Sequence, residues 1–298
     1  MCGIVGLHLR ARELYPRLGQ LLTGMLCEMG NRGSDSAGVA IYGDPVWSPP
    51  GRGVVSMVDA SADADAVAAT IGEVLGDPPD VLAVGTTLLV SADVGSSVLL
   101  DAVKSTYPRA LVAGFGADMA VLKGVGHPKA LTGRWDLTKA QGWQGVGHTR
   151  MATESAVTPA GCHPYTVGPE QCMVHNGSFA NHATIRRRLR SAGIEFDSNN
   201  DTEVGARFIA KQLADGRTVE SALKELCATF DGFYTLLVSD RDSFAVVRDA
   251  IACKPAVIAE TDGWVAVSSE YRALAGLPGV EHATIWEPEP EAVYAWTR

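Results

Sequence analysis

The sequence predicts an α+β fold, and three observations carry that prediction. Short apolar runs with strand character open the chain at residues 3–6 and recur through its last third, separated by turn-forming residues. Three segments between residues 181 and 230 place apolar side chains at helical spacing and together form a layer. From about residue 54 to 140, strand-like and helix-like stretches alternate, the pattern of a small α/β unit inserted into a single domain of residues 1–298.

In chain order, Met1-Cys2-Gly3-Ile4-Val5-Gly6 leads into the first strand. Leu14, Leu18, Leu21, Leu22, Met25, Leu26 and Met29 then recur at helical spacing, with Pro16 near the helix start and Gly30 at its end. Asn31 to Gly38 is a turn dense in small and polar residues, Val39 to Tyr42 reads as a second strand, and the Pro- and Gly-rich residues 45–53 read as a loop or boundary. The insertion reads as a strand at 54–58, a helix at 65–75, a strand at 81–90, a helix at 96–105 and strands over 111–122 broken by Gly114 and Gly116. Gly124 to Lys129 lacks the lysine and hydroxyl spacing of a phosphate loop and reads as a linker. A short strand ends in the polar run Gly147 to Glu154, and a second runs into Asn176-Gly177, a turn signal. Helices follow at 181–192, from the Asn199–Glu203 cap through Leu213, and at 218–230. Strands at 233–239, 244–248, 256–259 and 264–267 read as consecutive and antiparallel.

The 298 residues are 46% hydrophobic and 20% charged, ordinary for a globular chain with a sizeable core. The net charge of −9 comes from scattered acids, and no basic stripe tracks phosphates, so nucleic acid is not an expected partner. The one basic cluster, Arg186-Arg187-Arg188 with Arg190, reads as a solvated helix face. No charged segment followed by an apolar one opens the chain and no apolar run is long enough to cross a bilayer, so a cytoplasmic location and no membrane partner are expected. The 6 cysteines are irregularly spaced, which fits thiols in a reducing compartment rather than a disulfide framework.

The chemistry concentrates at Cys2. If Met1 is removed, that residue carries both a thiol and an α-amine whose pKa is roughly 7.7 to 8.0, so the amine can take the thiol proton without a separate histidine. A buried cysteine in a first strand is the bland alternative. An amide side chain and a backbone N–H around Asn176-Gly177 could hold an oxyanion, and Arg32 could brace the site. Cys162, His163, Cys172 and His175 lie within a short span but lack the paired spacing of zinc ligands, so no metal is assigned. His148, His163 and His175 read as structural, and Cys27 and Cys227 as core residues.

In that order, MCGIVG, NRGSDSAG, GHTRMAT, MVHNGSF and NDTEV resemble the glutaminase domain of the class II glutamine amidotransferases, which are N-terminal nucleophile hydrolases. The resemblance covers most of the chain except roughly residues 54 to 140. It implies a four-layer αββα sandwich and an enzyme that hydrolyses the side-chain amide of L-glutamine. Cys2 matches the family nucleophile, and Asn176 and Gly177 the donors to the tetrahedral oxyanion. Arg150 matches the arginine that grips the substrate α-carboxylate, with Thr153 adding a hydroxyl. Asp201 matches the acid that recognises the α-ammonium group, and Arg32 a residue close to the nucleophile.

Met151 departs from the aromatic residue that some members carry after the arginine. The chain ends at Arg298 without a domain to consume ammonia, so a separate synthase subunit and a hetero-oligomer are expected. Within the family the chain is most similar to stand-alone subunits related to the glutamate synthase amidotransferase domain, as in N-methylglutamate synthase complexes. That resemblance implies no cofactor in this chain, and FMN and an iron–sulfur cluster in the partner. The insertion is separately expected to dock that partner. Two other readings stay open: a self-contained amidase or peptidase of the same fold acting on a γ-glutamyl compound, and a non-catalytic glutamine-binding regulatory subunit.

Overall fold

The computed structural model describes residues 1–58, 63–152, 157–166 and 168–298. The first half of the chain forms β1 (Gly3–Leu9), α1 (Leu18–Glu28), β2 (Ser36–Tyr42), β3 (Gly53–Val58), α2 (Ala64–Leu75), β4 (Asp80–Val84), β5 (Thr87–Ala92), α3 (Ser96–Thr106), β6 (Leu111–Gly116), β7 (Met119–Val125) and α4 (Pro128–Arg134). The second half forms β8 (Gln144–Arg150), β9 (Cys172–Phe179), α5 (His182–Ser191), α6 (Asp201–Ala214), α7 (Val219–Thr229), β10 (Gly232–Ser239), β11 (Ser243–Arg248), β12 (Val257–Glu260), β13 (Trp264–Ser268), β14 (Thr284–Trp286) and β15 (Tyr294–Thr297).

β1 is buried along its whole length because both of its faces are covered. It lies inside a seven-stranded sheet of order β14-β12-β13-β1-β8-β2-β7. Val5, Leu7 and Leu9 point to one side and meet Leu18, Leu22, Met25 and Leu26 of α1. Fully burying each such side chain contributes about 1.5–3 kcal/mol. Ile4 points to the other side and shares a core with Val174, Leu237 and Phe244 of a four-stranded sheet, β15-β11-β10-β9. Gly6 faces the same way, and a Cβ there would lie 2.7 Å from both Leu237 and Phe244, so glycine sets how closely the two sheets approach. The far side of the second sheet is covered by Phe208 of α6 and Leu223 and Leu226 of α7. The layers therefore run helix, sheet, sheet, helix, the expected αββα sandwich.

The inserted α/β unit is a second four-stranded sheet, β4-β5-β3-β6, all antiparallel. α2 and α3 pack against it through Val67, Ile71, Leu99 and Val103. Asp63 caps α2 by accepting from Ala66 N–H at 3.0 Å, and Gly76 closes the helix at φ 84°. The unit spans residues 53–116 rather than reaching 140. β7 pairs with β2 as the edge of the seven-stranded sheet, and α4 packs beside α1. The single strand expected at 81–90 is the hairpin β4–β5, turned at Gly85 with φ 62°. Similarly, the helix expected from Leu14 begins as α-helix only at Leu18. Residues 12–17 form a 3₁₀ turn around Pro16, which has no N–H to donate.

β7 carries one costly residue. Lys123 is 3% exposed, and its Nζ lies 5.0 Å from the centre of the Tyr165 ring without an ion-pair partner among the described residues. Burial pushes its pKa down to about 8, against about 10.4 in an unfolded chain. Between those values the unfolded chain binds more protons, so stability rises with pH across that window and the full cost applies below it. Lys123→Met is expected to remove a penalty on the order of 3 kcal/mol at pH 7 and to flatten the rise towards pH 10. Urea titrations of both proteins at the two pH values check this, and an unchanged pH dependence would refute it.

Candidate active site

Cys2 immediately precedes β1, and the register Gly3↔Thr149 puts the end of β8, and hence Arg150, at the same edge of the molecule. The facing sheet brings Asn176 and Gly177 of β9 there, and α6 begins beside them at Asp201. A cleft of about 650 Å³ is lined by Cys2, Arg150, Gly177 and Asp201 together. Asn176 and Arg32 reach the backbone of Cys2. The Asn176 amide donates to Cys2 O at 3.2 Å and Arg32 Nε donates to it at 3.0 Å. Thr153, the remaining predicted site residue, lies outside the described residues.

Each of these groups is held from behind. Arg32 is buried, and its Nη1 donates to Glu270 at 2.7 Å, whose second oxygen accepts from Arg272 at 2.9 Å. Ser269 fixes the start of β1, accepting from Ile4 N–H at its hydroxyl and donating its own N–H to Ile4 O, both at 3.0 Å. Arg150 is 6% exposed. Its carbonyl accepts from Asp35 N–H at 3.1 Å, and the Asp35 carboxylate accepts from Ala152 N–H at 2.8 Å. Gly33 packs so tightly that a Cβ there would sit 2.6 Å from Arg150 N. The Asn31–Gly38 turn therefore supplies the Arg32 contact to Cys2 and the frame that orients Arg150. Asp35, Glu270 and Ser269 were missed from sequence; Asp35 sits in a motif already singled out, and the other two carry no local signal.

The turn expected at Asn176-Gly177 does not form. β9 runs through both residues to Phe179, paired with β10 as Asn176↔Thr235 and Gly177↔Tyr234. Glycine is required there for a different reason: its φ is 153°, and a Cβ would lie 2.1 Å from Phe233 O. Asp201 is the first residue of α6, after the cap Asn200, whose side chain accepts from Thr202 N–H at 2.8 Å. One Asp201 oxygen accepts from Phe179 N–H at 2.8 Å, which ties the acid to the end of β9. Met1 precedes this assembly with its ammonium 3.1 Å from Met151 Sδ. In that form the Cys2 nitrogen is an amide.

Three buried histidines cluster beside the cleft, and two of them, His163 and His175, line it. His148 Nε2 meets His175 O at 3.1 Å, the acceptor role of a carbonyl making this nitrogen the protonated one. His163 Nε2 and His175 Nδ1 both bond Thr202 Oγ1, at 3.1 and 2.8 Å, and the His148 and His163 rings stack at 3.9 Å. Burial pushes His148 down to about 3 and lowers His163 and His175 as well, so all three are neutral at pH 7. They join β8, β9 and α6, the structural role expected of them. Cys162 Sγ lies 3.2 Å from Thr158 O, and among the described residues no three His, Cys, Asp or Glu side chains are placed to hold a metal ion. No helix among them is long and apolar enough to cross a membrane.

A larger cleft of about 820 Å³ lies at the opposite end of β1, between Arg10, Trp264 and Trp286. It contains no cysteine and none of the predicted site residues, so volume alone does not mark the chemistry.

A sandwich of αββα layers with a cysteine at the head of its first strand and a cleft opening over it is the architecture of the N-terminal nucleophile hydrolases. Residues 148–276 match the family described as a glutamine amidotransferase domain. Over 299 residues the chain is 45% identical to the glutamine amidotransferase-like protein GlxB of Rhizobium meliloti, covering 99% of this chain and 98% of the relative. It is 33% identical over 141 residues to the glutamine–fructose-6-phosphate aminotransferase of Mycobacterium tuberculosis, covering 46% of this chain and 23% of that one. Among solved structures, the glutamine phosphoribosylpyrophosphate amidotransferase of B. subtilis superposes with a TM-score of 0.61 at 18% identity. That match takes in 99% of this chain and 49% of the other, so the chain spans about half of that enzyme and shares its fold. The chain belongs to the class II glutamine amidotransferases.

Proposed function

We propose that this cytoplasmic enzyme hydrolyses L-glutamine through a Cys2 thioester and delivers the ammonia to a separate synthase subunit. The observation that supports it is the convergence of Cys2, Arg150, Gly177 and Asp201 on one cleft, with Asn176 bonded to the nucleophile's carbonyl. Once Met1 is removed, the α-amine of Cys2 takes the thiol proton and the sulfur attacks the substrate's side-chain carboxamide carbon. The Asn176 amide and the Gly177 N–H receive the oxyanion. Collapse expels ammonia, protonated by the same amine, and water then hydrolyses the γ-glutamyl thioester to glutamate. Arg150 offers a planar fork to the α-carboxylate, aided by Thr153, and Asp201 takes the α-ammonium. Arg32 holds the Cys2 carbonyl in place.

The partner reading draws on chain architecture: the Rhizobium relative is matched over 98% of its length, as a glutaminase-sized protein, whereas the aminotransferase is matched over only 23%. A synthase-like subunit, as in glutamate synthase or N-methylglutamate synthase assemblies, would carry any FMN and iron–sulfur cluster, and the 53–116 unit would dock it. Purification of the tagged full chain from its own cells, with identification of the proteins retained, tests this. A synthase-like subunit whose product forms with glutamine as nitrogen donor is the expected result. Full-rate hydrolysis of γ-glutamyl compounds by the chain alone, with no such subunit retained, would overturn it in favour of a self-contained amidase.

A further inference from the structure

The segment between α5 and α6 runs along the cleft wall at Asn199 and Asn200 up to Asp201, the first residue of α6, yet no helix or strand takes in residues 195–200. Two side chains from the flanking helices bond its backbone instead. Glu203 Oε1 accepts from Asp197 N–H at 2.8 Å, and Oε2 accepts from Ser198 N–H and Ser198 Oγ, both at 2.7 Å. Arg186 donates from Nη1 to Ser198 O at 2.6 Å and from Nη2 to Asn200 O at 2.8 Å. The division follows from the groups themselves: a carboxylate only accepts, so it takes the amides, and a guanidinium only donates, so it takes the carbonyls. Arg207 completes the clamp, donating to Glu203 at 2.9 Å. The Arg186 and Arg207 guanidiniums lie 4.7 and 5.5 Å from the Phe196 ring.

This corrects the reading of residues 186–190 as a solvated face. Arg187, Arg188 and Arg190 are exposed, but Arg186 is 8% exposed. Neither Arg186 nor Glu203 lines the cleft, so neither touches substrate. Their leverage comes through the peptide plane. Asn200 O belongs to the planar group that ends at Asp201 N, so a bond to that oxygen fixes the direction in which the Asp201 side chain leaves the backbone. Phe179 N–H fixes the carboxylate at its other end.

We infer that Arg186 and Glu203 are positioning residues that set the enzyme's affinity for the α-ammonium group of its substrate by aiming Asp201. The inference rests on the assignment of Asp201 to that ammonium. It is tested on the full chain carrying Cys2→Ala, which binds without turnover. Calorimetry compares L-glutamine with glutaramate, the same molecule lacking the α-amino group. Asp201→Asn and Arg186→Met are each expected to weaken glutamine about tenfold or more while leaving glutaramate within about twofold, since only glutamine loses a charged hydrogen bond. Arg186→Lys, which keeps the charge but not the fork, recovers part of the loss. If Asp201→Asn is selective but Arg186→Met leaves both ligands unchanged or weakens both equally, the positioning role is wrong and the Asp201 assignment stands. If Asp201→Asn weakens both ligands equally or neither, the assignment and the inference fall together. Should Arg186→Met not fold, Glu203→Gln, which sets an amide against Ser198 N–H, must show the same selective loss; equal weakening of both ligands overturns the inference.

Discussion

Cys2→Ala is expected to reduce glutamine hydrolysis by about 10⁶-fold, as removal of the nucleophile does in other covalent hydrolases. The fold should hardly register the change. Cys2 is only partly buried, and the bonds that seat it, from Arg32 and Asn176, go to its backbone carbonyl, which alanine keeps. Stability within about 0.5 kcal/mol of the parent is therefore expected. Glutamine affinity should also persist, because Arg150 and Asp201 are untouched. Ammonia release, thermal unfolding and calorimetry on one preparation check all three. Loss of binding along with turnover would mean that Cys2 is a structural residue.

Asn176→Ala should lower kcat by about 10²–10³, or about 2.7–4 kcal/mol, the usual cost of deleting one donor to a developing oxyanion. The loss should fall on kcat with KM little changed, because the oxyanion exists only after attack. Asn176 is 3% exposed and its amide lies within 3.2 Å of Cys2 O, so the donor is already in place before substrate binds. Asn176→Asp makes a sharper comparison, since it replaces the donor with a negative charge and should be worse than alanine. Steady-state kinetics of the two variants decide the point. A KM effect with unchanged kcat would assign Asn176 to ground-state binding instead.

The layers of the fold were legible because each leaves a local pattern in the sequence. The apolar run that opens β1 and the spacing of Leu18, Leu22, Met25 and Leu26 in α1 predict the first two layers without reference to distant residues. The order of the motifs singled out Cys2, Arg150, Gly177 and Asp201, and one cleft is lined by all four. The residues that hold them were not legible. Asp35 bonds Ala152 across 117 positions and Arg32 bonds Glu270 across 238, so their partners are set by sheet order. Arg186 looked like its exposed neighbours because its partners are backbone carbonyls, which have no sequence signature. Asn176-Gly177 misled for a related reason. Pairing with β10 along eight residues outweighs a local turn preference, and the glycine answers to the Phe233 carbonyl instead. The insertion's far boundary was misplaced because β7 reads like one more inserted strand until its pairing with β2 is seen.

A covalent electrophile shaped like glutamine, followed by intact-mass and peptide analysis of the full chain, bears most directly on Cys2 as an N-terminal nucleophile. The expected product is a protein lacking Met1 with one adduct on Cys2, and excess glutamine should slow its formation. Active protein that retains Met1, or an adduct on any of the other five cysteines in place of Cys2, would contradict it.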